Sequence, residues 1–440
     1  MTAIAGAAEA AETAKVPGRL LGLYLLLGFS AGLPFYMFNA VLTLRLAKHG
    51  VDIAIIGFFA WVALLPTFKF LWAPLLEKWD APGFSRFWGK RRGWIMLAQL
   101  GIFTAMIGMA ATSDDTSLPL TALFAVTLAF WTTTLEIAAD GWRIELAPSQ
   151  SEQGPVVAAN LWGYRSAMVA AGSGAALIAA RADWTWAYLA IAAAAFAPFP
   201  ILAAMRGEAD ARGGRWASLA SGVVASGIVA ALVTVATAAI GWVALRSVAA
   251  AGVDSDSNIT PFVLVVCMLP FIALAFALPR IRKMGADAPW RRSPVAGPYV
   301  DIFWRYGYAT LAVLAFVSLY RVGDVLALTL SHPLWNERGY SLDQFGNGLA
   351  GTVFVVYLSM LVNPRYPAAQ YAFLSGFAFL LARLLAGASG TMQKAVGYDG
   401  FFLFAGFVTV VAVVLIPFVT RVAAREPDEE VITPESVFGA

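Results

Sequence analysis

The sequence predicts an all-α polytopic membrane protein with about twelve transmembrane helices. Hydrophobic residues make up 60% of the 440-residue chain and charged residues only 13%, whereas soluble domains average about 25% charged residues. The apolar residues form runs of the roughly 20 residues that a helix needs to cross the hydrocarbon core. Transmembrane β-strands alternate between apolar and polar residues and produce no such runs. The single cysteine, Cys267, excludes an intramolecular disulfide.

Twelve segments are predicted to span the membrane: residues 20–46, 53–76, 93–112, 118–146, 155–180, 185–205, 216–246, 259–279, 303–331, 343–362, 367–390 and 400–420. An even number of spans places both ends of the chain on the same side of the membrane. Residues 1–19 and 422–440 are predicted to be disordered tails. Residues 1–14 lack the basic region with which a signal peptide begins.

Lysine and arginine are concentrated in three loops, which predicts that these loops face the cytoplasm. One loop follows the second span, one follows the sixth and one precedes the ninth; their basic residues include Lys78, Arg86, Lys90, Arg91, Arg92, Arg206, Arg212, Arg215, Arg280, Arg282, Lys283, Arg291 and Arg292. The opposite loops carry aspartates, such as Asp114 and Asp254, and few basic residues. Both ends of the chain are therefore predicted to be cytoplasmic.

The fourth span contains three charged residues, Glu136, Asp140 and Arg143. Their spacing of four and three residues places them on one face of a helix. A charged side chain that faces lipid costs several kcal/mol, so such residues normally face the interior of a bundle or a wet cavity. The stripe predicts a polar pathway, with Asp140 or Glu136 as the proton-coupling group. For Arg143, a helix end that reaches the cytoplasmic surface is the alternative.

Five more charged residues lie in apolar surroundings on other spans: Lys69, Arg165, Arg321, Asp324 and Arg383. Lys69 and Arg165 have no acid within one helical turn, so their partners must come from other spans or from an anionic ligand. Glu136 and Asp140 are the candidates. The arginine and aspartate of the ninth span lie one turn apart, which fits a local ion pair as well as a functional site. The excess of basic groups favours a substrate that carries carboxylate or phosphate.

No constellation of residues that is typical of a soluble enzyme occurs in the sequence. The two histidines, His49 and His332, fall in predicted external loops, and no Gly-rich phosphate-binding loop or metal-ligand cluster occurs. The formal net charge of +3 gives no indication of nucleic-acid binding. We therefore expect a transporter driven by an ion gradient, not an enzyme, with no cofactor and no metal.

Several stretches, in order along the chain, carry a family resemblance: Gly28–Pro34, Leu64–Lys78, Gly89–Trp94, Leu135–Arg143, Gly163–Arg165 and Gln370–Gly376. The chain resembles the AmpG-type muropeptide permeases of the major facilitator superfamily. Glu77 and the stretch from Gly89 through Arg91 to Arg92 resemble the superfamily's loop between spans two and three. In the family a glutamine and an aspartate usually stand where this chain has Leu135 and Glu136.

The resemblance implies proton-coupled import of N-acetylglucosaminyl-anhydromuramyl peptides across the bacterial inner membrane, for peptidoglycan recycling. Lys69, Arg143 and Arg165, with Arg321, Asp324 and Arg383, are then expected to bind the anionic substrate, and Glu77, Gly89, Arg91 and Arg92 to form a gating loop. We expect a monomer or a weak homo-oligomer in lipid. The alternatives are a facilitator for another solute, such as a sugar, a drug or an acyl-CoA, and a degenerate paralogue that does not transport.

The resemblance also implies a division of the chain. Residues 20–205 form an N-terminal half of six helices, 206–300 a linker with two inserted transmembrane helices, and 301–421 a C-terminal half. This second half shows four spans, so two helices are predicted to be missing near Leu342 and Asp343. The alternative is an ordinary bundle of six plus six helices.

Overall fold

The structure is a computed structural model, and it describes residues 16–51, 61–113, 117–147, 149–205, 276–285, 288–293, 296–322, 358–359, 361–363, 365–387 and 389–419. Within these ranges all regular structure is helical. Five helices in the described ranges are long and apolar enough to cross a membrane: Gly18–Leu46, Lys90–Ala111, Leu118–Leu146, Trp184–Ala204 and Asp399–Pro417. The predicted all-helical class is therefore confirmed.

The α-helices are numbered along the chain as α1 Gly18–Tyr36, α2 Leu42–Lys48, α3 Ala73–Lys78, α4 Ser85–Trp88, α5 Lys90–Ala111, α6 Leu118–Leu146, α7 Gln150–Val169, α8 Ala175–Arg181, α9 Trp184–Ala195, α10 Pro198–Ala204, α11 Pro289–Arg292, α12 Gly297–Tyr306, α13 Ala309–Val322, α14 Pro367–Gly387 and α15 Ser389–Val419. Residues 276–281 are also helical. Spans one and five are each completed by a π-helical segment, Met37–Val41 between α1 and α2 and Ala170–Gly174 between α7 and α8.

The described residues fall into two compact units. The first holds the described parts of Met1–Lys69, Lys78–Ser247 and Asn347–Tyr371, and the second those of Phe70–Glu77, Val248–Gly346 and Ala372–Ala440. The predicted division into an N-terminal half, a linker and a C-terminal half stays a prediction.

In the first unit, α1 packs against α7 and α5 packs against α6. Glycines allow the first pair to approach closely, as is typical where apolar helices meet in lipid. A Cβ atom at Gly163 would lie 2.9 Å from the carbonyl carbon of Leu25 and closer still to its oxygen. A Cβ at Gly32 would lie 2.7 Å from that of Ala167. The helix pair is therefore held at a distance that no larger residue at these positions permits.

Three predicted spans are less regular than expected. Trp61–Leu71, in the predicted second span, is a 3₁₀ helix that contains Pro66, and proline removes a backbone donor from a helix. The predicted ninth span, 303–331, has a bend near its start, where α12 and α13 meet at an angle of 107°. Gly307 lies at the bend with a φ of 56°, a conformation that glycine adopts most readily. In α15, Gly397 is likewise non-helical.

Some predictions concern residues outside the described ranges. These are the spans 216–246 and 343–362 (apart from the few residues described at the end of the latter), most of the span 259–279, the join near Leu342 and Asp343, Asp324, and most of both tails. The predicted loss of two helices therefore stays a prediction.

Candidate functional site

The charged stripe lies on α6, which covers Leu118–Leu146 and thus has the predicted bounds. Three consecutive threonines precede the stripe, and their hydroxyls donate to carbonyl groups one turn earlier in the same helix, at 2.6–2.9 Å. The helix therefore satisfies these polar groups internally and stays continuous up to Glu136, Asp140 and Arg143. Asp140 and Arg143 form an ion pair along one face, with 3.4 Å between Oδ1 and Nη2.

Lys69 brings a positive charge to both acids of the stripe. Its Nζ lies 3.9 Å from Glu136 Oε2 and 3.9 Å from Asp140 Oδ2. Lys69 belongs to the 3₁₀ helix Trp61–Leu71, and its residue is only 8% exposed. The prediction that Lys69 finds its partner on another span, with Glu136 and Asp140 as the candidates, is confirmed.

Arg143 is the most deeply buried member of the cluster, with 1% of its surface exposed. Its Nη1 donates to Ser359 Oγ at 3.1 Å and to Gln153 Oε1. Because its Nη2 faces Asp140, the carboxylate of Asp140 is shared between two cations, Arg143 on one oxygen and Lys69 on the other. Arg143 lies in the last turn of α6, as the alternative of a helix end requires, but its side chain is enclosed and not exposed at a surface.

Neighbouring residues hold these side chains in place. The Tyr371 ring centroid lies 5.7 Å from Lys69 Nζ and 5.2 Å from the guanidinium carbon of Arg143, within the range of cation–π attraction. Gly141 permits close approach at the same level, because a Cβ there would lie 2.8 Å from that of Ala368. Gln153 is held from its other end, since its Nε2 donates to Ala147 O at 2.6 Å.

The charges of this cluster balance. Lys69 and Arg143 supply two positive charges, and Glu136 and Asp140 supply two negative charges. The two acids keep 22% and 19% of their side-chain surface exposed, whereas Arg143 is enclosed. The excess of basic groups that the sequence indicated is therefore not found in this cluster. A net positive charge arises here only when an acid is neutralised.

A second ion pair lies near the end of the same helix. Arg91 donates from Nε and Nη2 to Glu145 Oε1, at 2.9 and 2.7 Å. Arg91 and Arg92 are both buried and lie in the first turn of α5, which begins after Gly89 with its φ of 87°. Glu77 lies in α3, in the second unit, close enough to Tyr299 to influence it electrostatically.

Three of the remaining predicted residues lie on other helices. Arg165 lies on α7 with an exposed side chain, within electrostatic range of Tyr36. Arg321 belongs to α13 in the second unit, with its guanidinium carbon 4.7 Å from the Phe379 ring centroid. Arg383 lies on α14, and only its backbone is described. Asp324 is outside the described ranges.

Sequence reasoning assigned no role to three residues that contact Arg143: Gln153, Ser359 and Tyr371. Gln153 and Ser359 carry no charge, so the search for charges within apolar spans passed over them. Tyr371 lies in one of the stretches that carry the family resemblance, which was the only signal for it. Their proximity to Arg143 depends on tertiary packing. Gln153 is 10 residues away from Arg143 in the sequence, and Ser359 is 216 residues away.

Ion-paired charges inside apolar helices, as in the cluster of Lys69, Glu136, Asp140 and Arg143, are typical of membrane proteins that move ions or polar solutes. A solved structure resembles this chain in its fold. The crystal structure of a POT family transporter in complex with a thioalcohol-conjugated peptide matches with a TM-score of 0.50 at 13% identity, over 92% of this chain and 97% of that one. The chain therefore shares the helical fold of that transporter.

Relatives specify the resemblance further. The anhydromuropeptide permease of Escherichia coli K12 is 33% identical over 172 residues, which are 39% of this chain but only 34% of the permease. The chain thus matches about a third of the length of that relative. The putative transporter AmpG 4 of Rickettsia conorii is 25% identical, and the match covers 88% of this chain and 92% of the length of that transporter. No family model matches the chain. The resemblance to AmpG-type permeases is confirmed by these names, which denote permeases and transporters.

Proposed function

We propose that this chain is a secondary active transporter that imports anionic cell-wall fragments, N-acetylglucosaminyl-anhydromuramyl peptides, across the bacterial inner membrane. Protons drive the import. The name of the Escherichia coli relative supports the substrate class. The observation that carries the mechanism is the position of Lys69, 3.9 Å from both Glu136 and Asp140.

The cluster couples a proton to an anion through its charge balance. With both acids ionised, the two cations are compensated and have little attraction for a third carboxylate. A proton on Asp140 or Glu136 removes one negative charge and leaves a net positive charge near Lys69. A substrate carboxylate can then take the place of the neutralised acid. Because this coupling is reciprocal, bound substrate in turn favours the protonated state of the acid.

The other predicted residues take part in binding and gating. Arg165, Arg321, Arg383 and Asp324 contribute further substrate contacts. The pair of Arg91 and Glu145 closes the cytoplasmic end of the pathway, and Glu77, Gly89 and Arg92 belong to the same gating loop. The basic loops and both ends of the chain lie in the cytoplasm, as the positive-inside rule predicts, and the protein works as a monomer or a weak homo-oligomer.

Uptake in proteoliposomes tests this function. The purified chain should accumulate labelled anhydromuropeptide against its gradient when an inward proton gradient is imposed. Asp140→Asn should abolish this accumulation if Asp140 carries the proton, while exchange of labelled for unlabelled substrate continues. Glu136→Gln should reduce accumulation at least as much if Glu136 carries the proton. Asp399→Asn, which changes an exposed acid in α15, is the matched control.

Parental accumulation rates in both neutral variants would show that these acids are structural. The same assay separates the alternatives. Transport of a sugar, a drug or an acyl-CoA in place of the muropeptide would identify another facilitator. Loss of all transport in a correctly inserted chain would identify a non-transporting paralogue.

A further inference from the structure

Exposed basic residues cluster at the end of the helical segment 276–281, in the second unit. Phe276, the first described residue of this segment, is 81% exposed. Arg280, Arg282 and Lys283 follow, and all three side chains are exposed. Four residues of α-helix measure about 6 Å. The exposed surface therefore changes from apolar at Phe276 to positively charged at Arg280 within about one helical turn.

The side chain of Arg282 lies against the bend between α12 and α13. A Cβ atom at Gly307 would lie 3.0 Å from the guanidinium carbon of this arginine. The next residue, Tyr308, is exposed, and so are Leu311 and Ala315, which follow it on the same face of α13. An exposed apolar face on a membrane helix contacts lipid. Tyr308 therefore lies where the hydrocarbon ends, and Arg282 lies at the same level.

The short helix α11 adds a second basic and aromatic pair. Its Trp290 is 63% exposed. The guanidinium carbon of the next residue, Arg291, lies 3.9 Å from the ring centroid of Trp304 on α12, which is a close cation–π contact. Trp304 is buried together with Val300 and Phe303, one turn away on the same face of α12. α11 is thus fixed to a well-packed helix and presents Trp290 at the surface.

Charge and aromatic rings together select the partner of this surface. Residues 276–308 include six basic and two acidic residues. Basic residues just beyond the end of a membrane helix attract anionic lipid headgroups, and each one near the surface raises the affinity by about five-fold. Tryptophan and tyrosine are enriched at the same depth, between hydrocarbon and headgroups. An acidic peptide would match the charge, but it would not explain why apolar rings are exposed beside the basic residues.

We propose that Arg280, Arg282 and Lys283, with Trp290 and Tyr308, form an interfacial surface that binds the headgroups of anionic phospholipids. The basic side chains contact the lipid phosphates, and the two rings lie at the boundary with the acyl chains. With the orientation that the positive-inside rule predicts, the lipids belong to the cytoplasmic leaflet. The inference goes beyond the proposed function and does not depend on the transported substrate.

Fluorescence quenching by brominated lipids tests the surface. In a Cys267→Ala background, Gly285→Cys carries a fluorophore two residues after Lys283, at a position where a Cβ meets no described atom within 4 Å. The labelled chain is reconstituted in phosphatidylcholine vesicles that contain either brominated phosphatidylglycerol or brominated phosphatidylcholine. The anionic lipid should reach half-maximal quenching at about ten-fold lower content than the neutral lipid. Added salt should reduce this preference, because it screens exposed charges.

Charge variants show whether the basic residues cause the preference. Arg280→Gln combined with Lys283→Gln should lower the preference to about two-fold or less, whereas Arg280→Lys combined with Lys283→Arg should retain it. The matched control is Lys48→Gln combined with Arg181→Gln, which removes two exposed charges from the first unit. This control should keep the parental preference.

Equal quenching by the two brominated lipids would refute the surface, and so would an unchanged preference in the neutralised variant. The first comparison uses the basic residues as they are, so it decides the question even if a variant does not fold. The acidic end of the chain is the other possible occupant. A preference that appears only after Asp428, Glu429 and Glu430 are replaced by their amides would show that this segment covers the basic residues, and lipid would be refuted as their partner.

Discussion

Removal of the Lys69 charge should destabilise the first unit, because it leaves the partly buried carboxylates of Glu136 and Asp140 without the cation that they share. Each Nζ–oxygen distance is 3.9 Å, at which a unit charge pair is worth about 4 kcal/mol at an effective dielectric constant of about 20. The acids keep about a fifth of their surface exposed, so water recovers part of the loss. Breaking such a pair from one side costs about 3–5 kcal/mol when it is buried, and we expect about 3 kcal/mol for Lys69→Met.

Charge balance makes a sharper prediction for the double variant. Lys69→Met combined with Glu136→Gln leaves Asp140 and Arg143 as one complete ion pair, 3.4 Å apart. The double variant should therefore be more stable than Lys69→Met alone, although it lacks one more polar contact. Thermal unfolding in a mild detergent measures this. Lys69→Met should lower the melting temperature by on the order of 5–10 °C, and the double variant should recover at least half of that loss.

Lys48→Met is the matched control, because Lys48 is an exposed lysine at the end of α2. It should leave the melting temperature within about 1 °C of the parental value, as surface substitutions usually do. The reasoning is refuted if Lys69→Met behaves like this control. It is also refuted if the melting temperature of the double variant is lower than that of Lys69→Met. The carboxylate of Glu136 would then not be a source of repulsion in the single variant.

Three further predictions concern packing, gating and topology. Gly163→Leu should prevent stable assembly of α1 with α7, because even a Cβ clashes with the Leu25 carbonyl, while Gly172→Ala, whose Cβ meets no described atom within 4 Å, should melt like the parent. Arg91→Glu should lower uptake and the swap with Glu145→Arg should restore part of it; no restoration would mean that the pair is not a gate. Cysteines in a Cys267→Ala background, placed in the loops near Arg91, Arg212 and Arg282 (at the exposed Arg86 for the first loop), should resist an impermeant maleimide in intact cells, and labelling of any of the three loops from outside would overturn the orientation.

Local geometry explains which features could be predicted from the sequence. Helical spans follow from apolar runs of sufficient length, and α6 has the predicted bounds of 118–146. The common face of Glu136, Asp140 and Arg143 follows from a spacing of three and four residues, which depends only on the helical repeat. The class of the protein and the location of its charged stripe are therefore properties of the sequence alone.

Tertiary structure decided how these charges are compensated. Lys69 reaches both acids of α6, and Arg143 reaches Gln153 and Ser359, because distant segments of the chain pack together, and no local pattern encodes which segments do so. The hydrophobic pattern could not predict the bend of 107° at Gly307 either, because that pattern is the same for a straight span and for a broken one. Hydropathy records which residues avoid water, but the partner of a buried charge is determined by the whole fold.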